Sequence, residues 1–148
     1  MTRPLNVGLA GLGTVGAGVL TVLRQNAELV AARAGRPIVV TAVSARERGR
    51  DRGISLAGLR WFDDPVAMAR DPSVDVVVEV IGGAGGTARA LVQAAIGAGK
   101  PLVTANKALL AEHGAALAEA AEHAGVALAF EAAVAGGIPV IKALREGL

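Results

Sequence analysis

A chain of 148 residues, 53% hydrophobic but only 2% aromatic, carries enough apolar mass for one domain whose core is filled by Ala, Val, Leu and Ile. The absence of cysteine excludes disulfides, thiolate catalysis and cysteine-ligated zinc. A formal net charge of +2, with arginines interleaved with acids in "ARERGRDRG" (45–53) and few aromatic platforms, speaks against a nucleic-acid partner.

No apolar run approaches the roughly 18 residues of a membrane span. The opening "MTRPLNVGLAGLG" lacks the basic start, apolar middle and cleavage site of a leader. The expectation is a cytoplasmic protein with neither membrane nor nucleic-acid partner.

The apolar run "LNVGLAG" (5–11) reads as a buried strand. The segment 14–35 has helical spacing, with Val15, Val19, Val22, Leu23 and Leu29 near one face and Gly35 as its stop. "RPIVVTAVSA" (36–45) is a second strand, 46–58 a polar loop with some irregular helix, and "LRWF" (59–62) a third strand. "DDPVAMARDP" (63–72) predicts a short helix capped by Asp63 or Asp64, begun by Pro65 and ended by Pro72. "VDVVVEVIGG" (74–83) is apolar almost throughout, as in a strand covered on both faces. A helix over 86–99, a strand over 101–105, a helix over 107–125, a strand over 126–130 and a last helix beginning in "GGIPVIKALREGL" (136–148) complete the chain. This alternation predicts an α/β, Rossmann-like doubly wound, mainly parallel six-stranded sheet in one domain, 1–148.

Gly11, Gly13 and Gly16 spell G-x-G-x-x-G directly after the first strand and at the opening of the first helix. Gly11 permits the tight turn, Gly13 leaves room for a pyrophosphate, and Gly16 lets helix and strand pack closely. The free N–H groups of Leu12 to Val15 then face the anion, aided by the helix dipole. A glycine-rich turn without a ligand is the bland alternative.

The second strand ends "AVSARER", with Ser44 and Ala45 where an NAD-selecting acid is expected and Arg46 next. A guanidinium there suits the 2′-phosphate of NADP. NAD stays possible because Glu47 is near enough to take the ribose role, and Gly16 to Ser44 spans 28 residues rather than the usual ~20. Arg48 and Arg50 read as solvated loop residues.

Further strand ends line the edge where such sheets bind ligands. Ile81, Gly82 and Gly83 can let a cofactor pass over the backbone, and Glu79, a carboxylate inside an apolar strand, needs a donor and reads as a structural hydrogen-bond acceptor. Lys107 opens a helix, where its charge opposes the dipole by about 0.3–1 kcal/mol. It is a candidate for holding a carboxylate or polarising a carbonyl, with a plain surface lysine as the alternative. Glu131 is the only charge between Gly125 and Lys142. With carbonyls of the glycine-rich turn after it, Glu131 could form an all-oxygen cation site, and an ion pair with Lys107 reads equally well. His113 and His123, ten residues apart on one helix, do not form a metal pair.

Taken together, "GLAGLGTVG", "VVVEVIGG", "VTANKALLA" and "FEAAVAGGIPVIKALREGL" resemble the cofactor-binding half of homoserine dehydrogenase over essentially the whole chain. The resemblance implies NAD(P)H-dependent interconversion of aspartate 4-semialdehyde and L-homoserine, in the pathway to threonine, methionine and isoleucine. It implies pyrophosphate contacts at Leu12, Thr14 and Val15, a 2′-phosphate contact at Arg46, and Thr104 and Lys107 beside nicotinamide and substrate, with Lys107 catalytic. It also implies a monovalent cation, usually sodium, held by Glu131 and the carbonyls of Val134, Gly136 and Ile138.

Members of that family continue into a downstream domain that forms the dimer, binds homoserine and adds a second catalytic lysine and an aspartate. That domain is expected to be absent here, leaving a chain that binds cofactor weakly and turns over little. The cofactor domain of another amino-acid or sugar dehydrogenase, and a nucleotide-sensing regulatory module, are the alternatives. A sensing module has no need for Lys107 or the Glu131 turn.

Overall fold

The computed structural model describes residues 2–147, so Met1 and Leu148 of the expected 1–148 domain lie outside the described residues. In chain order the elements are β1 (Leu5–Ala10), α1 (Thr14–Gln25), α2 (Ala27–Ala34), β2 (Ile38–Ser44), β3 (Arg60–Phe62), α3 (Pro65–Arg70), β4 (Val76–Glu79), α4 (Gly86–Gly97), β5 (Leu102–Thr104), α5 (Lys107–His123) and β6 (Leu128–Ala129). Two 3-10 turns, Glu131–Ala133 and Ala135–Gly137, then lead into α6 (Val140–Gly147).

The six strands form one sheet in the order β3-β2-β1-β4-β5-β6, and every neighbouring pair is parallel. The chain winds outward from β1 to β3, returns across β1, and winds the other way from β4 to β6. Parallel neighbours need crossovers, and the helices that supply them cover both faces.

Each face has its own core. Val7, Leu9, Val40 and Val43 point to one side and pack with Leu20 of α1. Ala10, Ala42 and Val77 point to the other, against Met68 of α3, Leu91 and Val92 of α4, and Leu109 of α5. Gly8 of β1 is needed for this fit, since a Cβ there would lie 2.9 Å from a Val74 methyl.

The structure revises several expected boundaries. The first helical segment is two helices broken at Asn26, which has φ −113° and ψ 24° and whose side-chain amide donates to the Val22 carbonyl at 3.0 Å. A short polar side chain competing for a helical carbonyl is a known cause of such a break. The packed stripe of α1 is Gly16, Val19, Leu20 and Leu23, so Val19 and Leu23 of the expected face meet the core, while Val15 and Val22 are 57% and 55% exposed and Leu29 is also exposed. The fourth and sixth strands are shorter than their apolar runs. In α3, Asp64 is the cap, its carboxylate accepting from the Val66 amide at 2.9 Å. Asp63 instead accepts from the Trp61 indole at 2.8 Å.

Charged groups tie together the rim where the strands begin. Arg3 pairs with Asp75 at 2.6 Å, and the other Asp75 oxygen accepts from the Asn6 amide at 2.8 Å. Arg60 pairs with Asp71, whose backbone carbonyl also accepts from the Lys100 ammonium. No helix among the described residues is long and apolar enough to cross a membrane.

Candidate functional site

At the opposite rim, where the strands end, β1 and β4 lie side by side while their crossovers run to opposite faces. This divergence opens a cleft of about 720 Å³. Gly11, Leu12 and Gly13 line it from the first turn, Ser44, Ala45, Arg46 and Glu47 from the end of β2, and Val80, Ile81 and Gly82 from the end of β4.

The three glycines play different parts. Gly11 has φ +100°, and its amide donates to the Ser44 carbonyl at 2.8 Å; a Cβ there would lie 2.6 Å from the Val80 carbonyl oxygen. A Cβ on Gly16 would overlap the Gly11 carbonyl oxygen, so α1 and the turn touch backbone to backbone. A Cβ on Gly13 would meet nothing within 4 Å. Packing requires glycine at 11 and 16, and leaves the space at 13 open toward the cleft.

Two helices point their amino termini at this rim without side-chain caps. α1 begins after Gly13 and α4 after Gly85, neither with a side-chain hydrogen bond to its first amides. By contrast Asp64 caps α3, and Asn106 caps α5 by accepting from the Leu109 amide at 3.1 Å. Free amides of two helix starts converging on one cleft are donors suited to an anion. Gly85, Thr87 and Ala88 of the α4 start line the cleft too. The glycine-rich stretch 82–86, interrupted only by Ala84, was the available signal for this second helix start.

Arginines form one wall. Arg46, Arg50 and Arg52 all line the cleft, and Arg50 is an exposed loop residue as expected. Arg48 instead stacks over Trp61, 5.9 Å from the ring centroid. The acids Glu47, Asp63 and Asp64 share the lining. Asp63 and Asp64 are tied to Trp61 and the α3 cap, as described above.

Beyond the cleft, β4 and β5 are joined by a buried polar network. Glu79 is 0% exposed. Its Oε1 accepts from the Ile81 amide at 2.8 Å and the Gly82 amide at 3.1 Å. Its Oε2 accepts from the Thr104 hydroxyl at 2.6 Å. Asn106 donates its side-chain amide to the Gly83 carbonyl at 2.8 Å. The reading of Glu79 as a structural acceptor is correct.

Thr104 is 0% exposed, and its hydroxyl donates to Glu79 while accepting from the Asn106 amide at 3.0 Å. These bonds tie the end of β5 to the loop that leads into Lys107.

Lys107 is exposed at the first position of α5 and does not line the cleft. Among the described residues it makes no ion pair with Glu131. The Glu131 carboxylate turns to α6 instead, accepting from the Ile141 amide at 3.2 Å and the Lys142 amide at 3.1 Å. The adjoining turn carries positive φ at Ala135 and Gly136, and the Ile138 carbonyl accepts from the Val140 amide at 2.7 Å. The described residues contain no cluster of three or more His, Cys, Asp and Glu side chains placed to hold a metal. Any cation at this turn would therefore rest on one carboxylate and carbonyl oxygens.

A crevice at the switch in strand order, with glycine at its floor and two free helix starts at its edge, is the setting in which open α/β sheets hold dinucleotides, and the chain is an NAD(P)-binding Rossmann domain. The family profile described as "Homoserine dehydrogenase, NAD binding domain" matches residues 11–131. The chain belongs to that family.

Over 148 residues it is 52% identical to the homoserine dehydrogenase of Pseudomonas aeruginosa, covering 99% of this chain and 33% of that protein. The crystal structure of a homoserine dehydrogenase from Thiobacillus denitrificans superposes with a TM-score of 0.90 at 52% identity, over 99% of this chain and 33% of that one. The Staphylococcus aureus homoserine dehydrogenase structure at pH 7.5 gives 0.81 at 36% identity, over 90% of this chain and 34% of that one. The chain thus spans about a third of the length of the relatives it matches.

Proposed function

We propose that this chain is the cofactor-holding part of a cytoplasmic enzyme that interconverts aspartate 4-semialdehyde and L-homoserine, with NADP preferred over NAD. When bound, the nicotinamide supplies or accepts the hydride exchanged with the substrate carbon. The residues of this chain bind, orient and stabilise charge.

Amides of Leu12, Thr14 and Val15, with those at the start of α4, hold the pyrophosphate. Arg46 takes the adenosine 2′-phosphate. Ile81 and Gly82 give the cofactor a path over the sheet edge. Lys107 donates a hydrogen bond or proton to the substrate carbonyl oxygen as charge develops there. A monovalent cation, sodium in this reading, is held by Glu131 with the carbonyls of Val134, Gly136 and Ile138. Glu131 oxygens that each accept one amide keep further lone pairs for it. The small-molecule substrate and a homodimer or larger assembly belong to the longer protein.

The observation that carries this reading is the open space at Gly13. Gly11 and Gly16 are explained by the fold; packing does not require Gly13, and a pyrophosphate close to the backbone there would. Titration of the chain with NADP and NAD tests it, with NADP binding more tightly as the expected result. No binding of either would remove the cofactor assignment. Tighter NAD would remove the role of Arg46. In the longer enzyme, Lys107→Ala is expected to lower kcat/KM for homoserine, and an unchanged value would take Lys107 out of the chemistry.

A further inference from the structure

We propose that Arg52 is a positioning residue for the adenosine 2′-phosphate: it holds the backbone of residues 46–50 in one shape, so that Arg46 and Arg50 present their charges to the cleft together. The proposal rests on the NADP reading above and assigns a second determinant to the same site.

Arg52 is already occupied within the protein. Its Nη2 donates to the Arg46 carbonyl at 2.7 Å and the Glu47 carbonyl at 2.8 Å, and its Nη1 donates to the Arg50 carbonyl at 2.8 Å. Three of the five guanidinium N–H groups are thereby used on the loop's backbone, including both of those on Nη2. The same guanidinium lies 5.6 Å from the Trp61 ring centroid, which fixes it against β3. Arg46 and Arg50 differ: among the described residues, neither side chain makes a hydrogen bond or ion pair, and both line the cleft.

The loop needs this restraint. Glu47 has φ +55°, a left-handed conformation that a non-glycine residue keeps only when its surroundings impose it. The turn is closed by the Arg50 amide donating to the Glu47 carbonyl at 3.1 Å, and Arg52 binds that same carbonyl. Without the planar fork of Arg52, the loop would keep its two free arginines but lose the geometry that brings them to one face. An ammonium cannot replace the fork, because a lysine head is compact and does not span three carbonyls.

The test measures the affinity of this chain and its variants for NADP and NAD, with melting curves and the fluorescence of its single tryptophan, Trp61, as checks on folding. Arg52→Ala and Arg52→Lys are both expected to weaken NADP by roughly tenfold, the size of one misplaced charge-assisted contact, while NAD changes by less than about twofold. Arg46→Ala supplies the benchmark for direct loss of the phosphate contact. Wild-type NADP affinity in Arg52→Lys would overturn the proposal, since charge alone would then suffice. Equal losses for NADP and NAD would overturn it too, by reducing Arg52 to general scaffolding. If wild-type protein shows no preference for NADP and Arg46→Ala alters nothing, the cofactor reading itself has failed, a result seen before any Arg52 variant is made.

Discussion

The Thr104 hydroxyl donates to Oε2 of Glu79 at 2.6 Å, and neither residue reaches solvent. The two are also direct partners in the β4–β5 register, so one short bond joins the ends of neighbouring strands. Each strand end leads into a segment of the candidate site, Ile81 and Gly82 on one side and Asn106 and Lys107 on the other. Thr104→Val removes a donor from a buried carboxylate and an acceptor from the Asn106 amide. The expected cost is about 1–3 kcal/mol, read as a lower denaturation midpoint, with Thr104→Ser recovering most of it.

Gly13 and Gly16 separate binding from folding. Gly13→Ala places a methyl in open space and should change stability by no more than about 1 kcal/mol, as expected at an N-cap. It should lower dinucleotide affinity by at least tenfold, since about 1.4 kcal/mol of steric cost is enough. Gly16→Ala forces α1 away from the Gly11 carbonyl and should cost more than about 2 kcal/mol in thermal or chemical melts. Equal stability of the two variants would contradict this division.

Acid should loosen the lower rim through Asp71. The Arg60 guanidinium, then the Ser73 hydroxyl and amide, hold the Asp71 carboxyl well below the usual carboxylate range. The folded state therefore binds this proton less readily than the unfolded chain, whose Asp titrates near ~3.9. The stabilisation is complete above that value and fades as pH falls below it toward the folded-state pKa. Melting temperature should drop on going from about pH 5 to pH 2, and the part due to this group should be missing in Asp71→Asn.

Helix α6 should depend on Glu131. It buries none of its residues, and its Ile141 and Lys142 amides donate to the Glu131 carboxylate. Glu131→Ala should speed amide exchange at Ile141 and Lys142 and reduce helical ellipticity, at a local cost of about 1 kcal/mol. The amides of β1 and β4 should exchange as before.

Features fixed by local backbone demands were readable from residues alone. Gly35, Gly99 and Gly125 end helices with φ of +73°, +69° and +65°, values that few other residues tolerate. The strand–helix alternation and the spacing of Gly11, Gly13 and Gly16 are equally local. The buried side of α1 was only partly readable, because Val15 and Val22 satisfy the same helical spacing as Val19 and Leu23, and only the position of the sheet chooses among them. The burial of Thr104 depends on its register against Glu79, 25 residues away. Arg52 sits in an arginine-rich stretch where nothing in the order of residues tells a fork that clasps carbonyls from one that meets solvent.

The charged ties among Arg3, Asp75, Arg60, Asp71 and Lys100 gather where the strands begin, a sheet's length from the glycine turn. These charged anchors are thereby set apart from the nucleotide's berth, while Gly11, Gly16 and the Glu79–Thr104 bond serve the fold at the berth itself. Reworking the upper edge to accept a different nucleotide leaves these anchors untouched, and reinforcing the anchors against heat leaves the nucleotide's berth unaltered.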